Sequence, residues 1–106
     1  MATSHLTVAQ TILAQLGGRR FMAMTGAKDF VGSDNTLTFT LPPGFAKDGI
    51  NMIKISLDWT DTYTIEAAKV TMRPTPKYEL IQKMDLVYAE NLRSIFTKLT
   101  GLDTSL

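Results

Sequence analysis

The chain contains no cysteine among its 106 residues. This absence excludes a disulfide-stapled scaffold, a zinc site built on thiolates and a cysteine nucleophile. It also agrees with a reducing compartment, where disulfides are rare. We therefore expect a protein of the cytoplasm.

Histidine is nearly absent as well, since His5 is the single imidazole of the sequence. A general base needs a fixed position before it needs a tuned pKa, and His5 stands at the very start of the first predicted helix. Ser33 has no paired histidine, so a Ser-His-Asp arrangement cannot form. Asp58 and Asp61 bracket a predicted turn, where aspartate is common for conformational reasons alone. The sequence therefore predicts no catalytic residue, no metal site and no cofactor, and we expect the protein not to be an enzyme.

Long hydrophobic runs and a marked excess of one charge are also missing. No apolar stretch is long enough to span a membrane, and the first residues lack the pattern of a signal peptide. Eleven Lys and Arg stand against ten Asp and Glu, and 44% of the residues are hydrophobic. This balance is typical of one folded domain, and we expect residues 1–106 to form it.

In the first part of the sequence apolar residues recur with a helical period, and after it they recur with a period of two. Ala9, Ile12 and Leu16 recur on one helical face, and Gly17-Gly18 is typical of a helix end. Alternating or continuous apolar residues then predict four strands, over 20–25, 36–41, 50–57 and 62–67. Residues 26–35 are rich in Gly, Asp, Ser and Asn and are predicted to form a loop. Beyond Ala67 the apolar residues change parity, which predicts either a β-bulge or a strand that leaves the sheet edge.

A long helix is predicted at the C-terminal end of the chain. Pro76 suits the first helical turn, and Gly101 closes the helix about 25 residues later. Apolar residues keep a 3.6-residue period between them: Leu80, Ile81, Met84, Val87, Tyr88, Leu92, Ile95 and Leu99.

The connections between strands are too short for crossover helices, so the sheet must be antiparallel. We predict an α+β fold, in which a four-stranded antiparallel meander carries the N-terminal helix and the long C-terminal helix on one face. Ile55 and Leu92 are expected in the core between these two layers.

The densest basic cluster comprises Arg19, Arg20 and Lys28. Such groups suit contact with phosphates, which position a protein on nucleic acid without reading its sequence. Single-strand binding also calls for stacking aromatic side chains, whereas the neighbouring Phe21 fits the core better. Nucleic-acid binding through these three residues is therefore the alternative to a protein partner.

Three methionines, Met22, Met24 and Met52, are predicted on the sheet face that points away from the helices. The residues predicted around them are Thr36, Thr38, Thr40, Thr62 and Thr64. A face that meets only water rarely carries three neighbouring methionines, so we predict an adaptable apolar interface there. Its simplest form is a homodimer. The competing interpretation is a buried first strand whose methionines fill gaps in the core.

Several segments resemble a group of small uncharacterised proteins encoded by phages and prophages. The most specific is LGGxxFxxMTGA, which lies within residues 15–28. Further similarity covers Ile53-Lys54-Ile55-Ser56-Leu57-Asp58 and the ending Thr100-Gly101-Leu102. The resemblance implies a viral or mobile-element origin and a bacterial cytoplasm. It carries no site residues, because the group has no assigned activity.

The function predicted from these features is that of a small, non-enzymatic, phage-type accessory protein. It would act by macromolecular contact, binding and inhibiting a host protein. One alternative is a nucleic-acid-binding protein that uses the basic cluster. Another is a small enzyme or ligand carrier with a pocket under the last helix. No contact with a membrane is expected.

Overall fold

The computed structural model describes residues 5–33, 35–42, 44, 46–58, 60–71 and 75–102, with side chains from Val8 onward. Within these ranges the chain forms two consecutive helices, then a five-stranded sheet, then a third helix. The α+β class predicted from the sequence is confirmed.

A double glycine separates the first two helices. The helix α1 spans His5–Leu16 and α2 spans Gly18–Thr25. Gly17 and Gly18 have φ angles of 124° and 59°, which residues with a side chain rarely adopt, so the pair ends one helix and turns the chain into the next. Gly26, with a φ of 73°, ends α2 in the left-handed conformation.

The sheet is an antiparallel meander in which strands follow one another in chain order. Its strands are β1 Lys28–Ser33, β2 Thr36–Thr40, β3 Met52–Leu57, β4 Tyr63–Thr71 and β5 Lys77–Val87. The meander and the β3–β4 hairpin were predicted correctly. The sheet has five strands instead of four, and β1 and β5 form its edges.

The strand β5 contains two irregularities in its pairing with β4. Ala67 and Ala68 are adjacent in β4 but face Gln82 and Leu80, so Ile81 is an extra residue in β5. A second extra residue lies between the positions opposite Ile65 and Tyr63, which pair with Met84 and Val87. The strand β4 itself alternates regularly, so Ala68 and Val70 lie on the face opposite that of Ala67. The change of parity beyond Ala67 therefore does not mark a bulge in β4, and the extra residue belongs to the neighbouring strand.

The three helices cover one face of the sheet. The last of them, α3 Leu92–Thr100, follows a short 3₁₀ turn over Ala89–Asn91. Phe21 of α2 packs edge-on against Phe39 of β2 and Phe96 of α3, with ring centroids 5.4 and 5.1 Å apart. Ile55 and Leu92 are fully buried, as expected.

The predicted first strand is wrong, because residues 20–25 lie within α2. Apolar residues of both parities suggested a buried strand there, but Phe21 and Thr25 are the ones fully buried, and they stand four residues apart. That spacing is one helical turn, and the Thr25 hydroxyl donates to the Phe21 carbonyl at 2.8 Å across it. Packing against two other phenylalanines thus overrides the local preference for a strand.

The predicted loop over 26–35 contains the edge strand β1. Its turn-forming residues are accommodated by an irregularity in the pairing with β2 between Lys28 and Val31. Asp29 has a φ of 57° in this segment. The hydroxyl of Thr40 lies 3.2 Å from the Lys28 carbonyl and 3.1 Å from the Asp29 carboxylate, both of which it can reach as a donor.

The long last helix is also wrong, since its first half is β5 and only Leu92–Thr100 is helical. Of the predicted helix face, Leu92 and Leu99 are buried and Ile95 is half-buried. Phe96, which the predicted face did not include, is fully buried. The strand replaces the helix where the chain pairs with β4 over its full length.

Candidate protein-binding surface

The face of the sheet opposite the helices is mostly polar. Pairing aligns side chains on this outer face in rows, and one row joins Thr38, Lys54, Glu66 and Lys83. The neighbouring row joins Thr36, Ser56 and Thr64. Threonine, serine and paired opposite charges make this part of the face suited to water.

One end of the outer face is apolar instead. A row across three strands joins Met52, Ala68 and Leu80, and beside it Val70 faces Tyr78. Tyr78 is 56% exposed and Leu80 is 47% exposed, whereas Ala68 in the middle of the row is 1% exposed. We call these five residues the outer-face patch. Tyr78 and Leu80 are an exposed aromatic and an exposed aliphatic side chain on hydrogen-bonded strands, and such a surface is suited to contact with another macromolecule.

The methionine prediction fails in its geometry. Met22 and Met24 lie half-buried on α2, and Met22 packs against the core, so neither lies on the sheet. Met52 does lie on the outer face, opposite Thr40 and Ala68. The physical reason is the helical conformation of residues 20–25, which removes the alternation on which the face assignment rested.

The threonines predicted around the methionines are largely where the sequence places them. Thr36, Thr38 and Thr40 share a side of β2, and Thr64 lies on the same face of β4. Thr62 precedes β4 and is buried, with its hydroxyl 2.8 Å from that of Thr60.

Tyr78 and Leu80 were not recognised as surface residues from the sequence. Both were assigned to the predicted last helix, where Leu80 would face the core. Their alternation with Lys77 and Glu79 was the available indication of a strand with an apolar outer side.

The three basic residues of the nucleic-acid alternative are all exposed. Arg19 and Arg20 lie in the first turn of α2, and Lys28 begins β1 after that helix has ended. Thr25, the last residue of α2, is five positions after Arg20, roughly 7.5 Å along the helix axis. Lys28 therefore follows the end of α2 opposite to the two arginines. Their role in nucleic-acid binding stays a prediction.

A buried polar contact links α1 to the sheet beside the core. Tyr63 is 4% exposed, and burial raises the pKa of its phenol above 10.0. A hydrogen bond from the Gln15 side chain acts in the opposite direction, and the nearby Asp61 carboxylate adds to the increase. The Gln15 Oε1 atom is buried and accepts no hydrogen bond from the described residues.

Two carboxylates lie close to one hydroxyl at the polar end of the outer face. The Thr64 Oγ1 atom lies 2.8 Å from Asp58 and 3.2 Å from Asp85. A hydroxyl carries one proton, so it donates to one of the two at a time. Asp61, paired with Asp58 in the sequence interpretation, instead closes the turn, where its N–H donates to the Asp58 carbonyl. Among the described residues no group of three or more His, Cys, Asp or Glu is arranged to hold a metal ion.

The last helix is shorter than predicted, and a pocket beneath it stays a prediction. A shallow cavity of about 160 Å³ lies between α1 and the first two strands. The residues that line it are Ala9, Gln10, Leu13, Phe30, Gly32 and Leu37. Its walls are almost entirely apolar, and Gln10 supplies the one polar side chain. The imidazole of His5 lies outside the described side chains.

Comparison of the chain with protein-family models, with curated proteins and with solved structures finds no match. Over the part of the chain that the structure describes, no helix is long and apolar enough to cross a membrane.

Proposed function

We propose that this chain is a non-enzymatic binding protein that contacts a protein partner through the outer-face patch. Support comes from the exposure of Tyr78 and Leu80 on a face that is otherwise made of threonine, serine and charged residues. Aromatic side chains and methionine are enriched where proteins bind one another, and the patch contains Tyr78 and Met52.

The position of the patch favours a protein partner. Its residues lie on β3, β4 and β5, so hydrogen-bonded strands fix their backbone and little backbone entropy is lost on binding. The row of Lys54, Glu66 and Lys83 borders it and offers both signs of charge. An apolar centre with a charged rim is the usual anatomy of a protein interface.

The resemblance to phage and prophage proteins supplies the context of the proposal. A bacterial host protein is then the partner, and the bacterial cytoplasm is the site of action. Binding would inhibit that host protein, because a small accessory protein without a catalytic site acts by occupying a surface.

Capture from bacterial lysate tests the proposal. We would immobilise the wild-type chain and two variants, Leu80→Glu in the patch and Val31→Glu on the same face of β1. Val31 is 60% exposed, so its replacement adds the same charge outside the patch. We expect one host protein to be retained by the wild type and by Val31→Glu, and to be lost from Leu80→Glu. Equal retention by all three proteins would contradict a role for the patch.

Nucleic-acid binding remains the second candidate, favoured by the exposure of Arg19, Arg20 and Lys28. The double variant Arg19→Ala/Arg20→Ala should lower affinity similarly for unrelated sequences, because phosphate contacts carry no base information. Retention of the wild type on DNA should fall as salt rises. A wild type that binds no nucleic acid at low salt would eliminate this candidate.

A further inference from the structure

The exposed edge of β5 has backbone groups available for pairing. In an antiparallel ladder, residues alternate between those that hydrogen-bond to one neighbouring strand and those that bond to the other. Both backbone groups of Val70 bond to the Asn51 side chain, its N–H to Oδ1 at 2.8 Å and its carbonyl to Nδ2 at 2.9 Å. They therefore point away from β5. The residue opposite Val70 is Tyr78, so its own N–H and carbonyl point away from β4.

The same reasoning holds one pair further along the strand. The Ala68 carbonyl accepts from the Asn51 N–H at 2.9 Å, on the side away from β5. Leu80, which faces Ala68, therefore also directs its backbone groups to the open edge. Tyr78 and Leu80 thus combine exposed side chains with backbone donors and acceptors that bond to no described residue.

We propose that this edge of β5 pairs with β5 of a second copy, antiparallel and with the two-fold axis at Tyr78. In this register Tyr78 exchanges both backbone hydrogen bonds with Tyr78 of the copy. The Leu80 N–H of each copy donates to the Pro76 carbonyl of the other. Lys77 of each copy then lies opposite Glu79 of the other, and the symmetry produces this ion pair twice.

The charge of Glu79 and the direction of the Gln82 backbone favour a two-fold axis at Tyr78 over an axis one or two residues further along β5. An axis at Glu79 would place the two Glu79 carboxylates directly opposite each other, which is unfavourable across strands. An axis at Leu80 would bring Tyr78 opposite Gln82. Gln82 lies beyond the extra residue Ile81 and faces Ala67, so its backbone groups are directed to β4. The axis at Tyr78 alone combines opposite charges with backbone groups in the right phase.

The pairing also extends the outer-face patch. Tyr78 lies on that face, so the two tyrosines meet at the axis, and Leu80 of each copy lies next to them. Lys77 and Glu79 project to the other side of the strand, outside the patch. Variants at these two charges therefore act on the dimer and leave the residues of the outer-face patch unchanged.

Charge exchange tests the register. We would measure mass by sedimentation over a wide concentration range for the wild type, Lys77→Glu, Glu79→Lys and the double exchange. Each single variant places like charges opposite each other twice and should weaken dimerisation about tenfold or more. The double exchange should restore it. An equimolar mixture of the two single variants should also dimerise, because each then meets its opposite charge.

Hydrogen exchange supplies a readout at the backbone itself. The Glu79 amide bonds within the chain and should be protected at every concentration, whereas the amides of Tyr78 and Leu80 should become protected only as the dimer forms. Leu80→Pro removes a donor that only the dimer uses, so it should give a folded monomer.

Several results would overturn the proposal. A wild type that stays monomeric at its highest soluble concentration would do so. So would a dimer that is insensitive to Lys77→Glu but lost in Leu80→Glu, since that outcome indicates face-to-face association.

Retention of a host protein by monomeric Lys77→Glu would show that the outer-face patch functions even though the dimer has been lost.

Discussion

Two buried threonines end helices in the same way. The hydroxyls of Thr25 and Thr100 each donate to the carbonyl four residues earlier at 2.8 Å and each accept the N–H two residues later at 3.2 Å. A glycine with positive φ follows both. The donated bonds end on Phe21 and Phe96, whose rings contact each other. The Thr25-Gly26-Ala27 segment is therefore a helix end that positions a core phenylalanine.

Replacing Thr25 by valine should destabilise the protein. Valine has nearly the same shape as threonine but no hydroxyl. The Ala27 N–H then loses its buried acceptor and the Phe21 carbonyl loses the hydroxyl donor, which should lower the free energy of unfolding by about 1–3 kcal/mol. Urea unfolding measures the difference. The control is Thr97→Val in α3, a half-buried threonine whose hydroxyl forms no hydrogen bond to the described residues. Equal midpoints for the two variants would contradict this role of the hydroxyl.

At the scale of elements, β5 shows why the sequence was misinterpreted. Its two extra residues shift parity twice, so the side chains directed at the core are Ile81, Met84 and Val87. Their spacing of three imitates the face of a helix, and periodicity cannot distinguish a twice-bulged strand from a helix. Regular strands such as β2 and β3 kept a strict alternation and were located almost to the residue.

The regularity of each strand also decided which residues of the candidate site could be placed from the sequence. Met52 was assigned to the outer face correctly because β3 has no irregularity. Tyr78 and Leu80 were missed because β5 was taken for a helix. Met22 and Met24 were misplaced because contacts among three phenylalanines, distant in sequence, favour a helix for residues 20–25. Such long-range contacts are invisible to local patterns.

The second bulge of β5 holds Leu86 in a left-handed conformation, with φ 55°. This costs a residue with a side chain about 1–2 kcal/mol, and Leu86 is 66% exposed, so little packing offsets the cost. We expect Leu86→Gly to leave the free energy of unfolding unchanged or to raise it by up to about 1 kcal/mol. Thermal and urea unfolding measure it.

The matched control for Leu86→Gly lies in the same strand. Leu80 is also exposed but has no positive φ, so Leu80→Gly should cost about 0.5–1 kcal/mol. A loss of stability from Leu86→Gly as large as that from Leu80→Gly would contradict relief of backbone strain at the bulge.

At the scale of the whole molecule, one continuous apolar cluster joins the helical layer to the sheet. It draws on α1, α2 and α3 and on the inner sides of β2, β3 and β4. Tyr63 and Gln15 form a polar contact across this boundary, since the first belongs to β4 and the second to α1. The protonation state of Tyr63 is therefore linked to the stability of the entire fold.

The raised pKa of Tyr63 predicts how stability changes at alkaline pH. Unfolded tyrosine loses its proton near pH 10.0, while burial keeps the folded phenol protonated to higher pH. Above that pH the unfolded chain binds fewer protons than the folded chain, so the free energy of unfolding falls as pH rises. The contribution is fully present below pH 10 and is lost as the pH increases through the folded pKa. Tyr63→Phe has no proton to lose and should show a shallower decline, measured by urea unfolding from about pH 8 to about pH 11. Tyr88→Phe, which removes a hydroxyl from a side chain that is 60% exposed, is the control. If both variants decline in parallel, the Tyr63 phenol does not link the two layers in the way that its burial indicates.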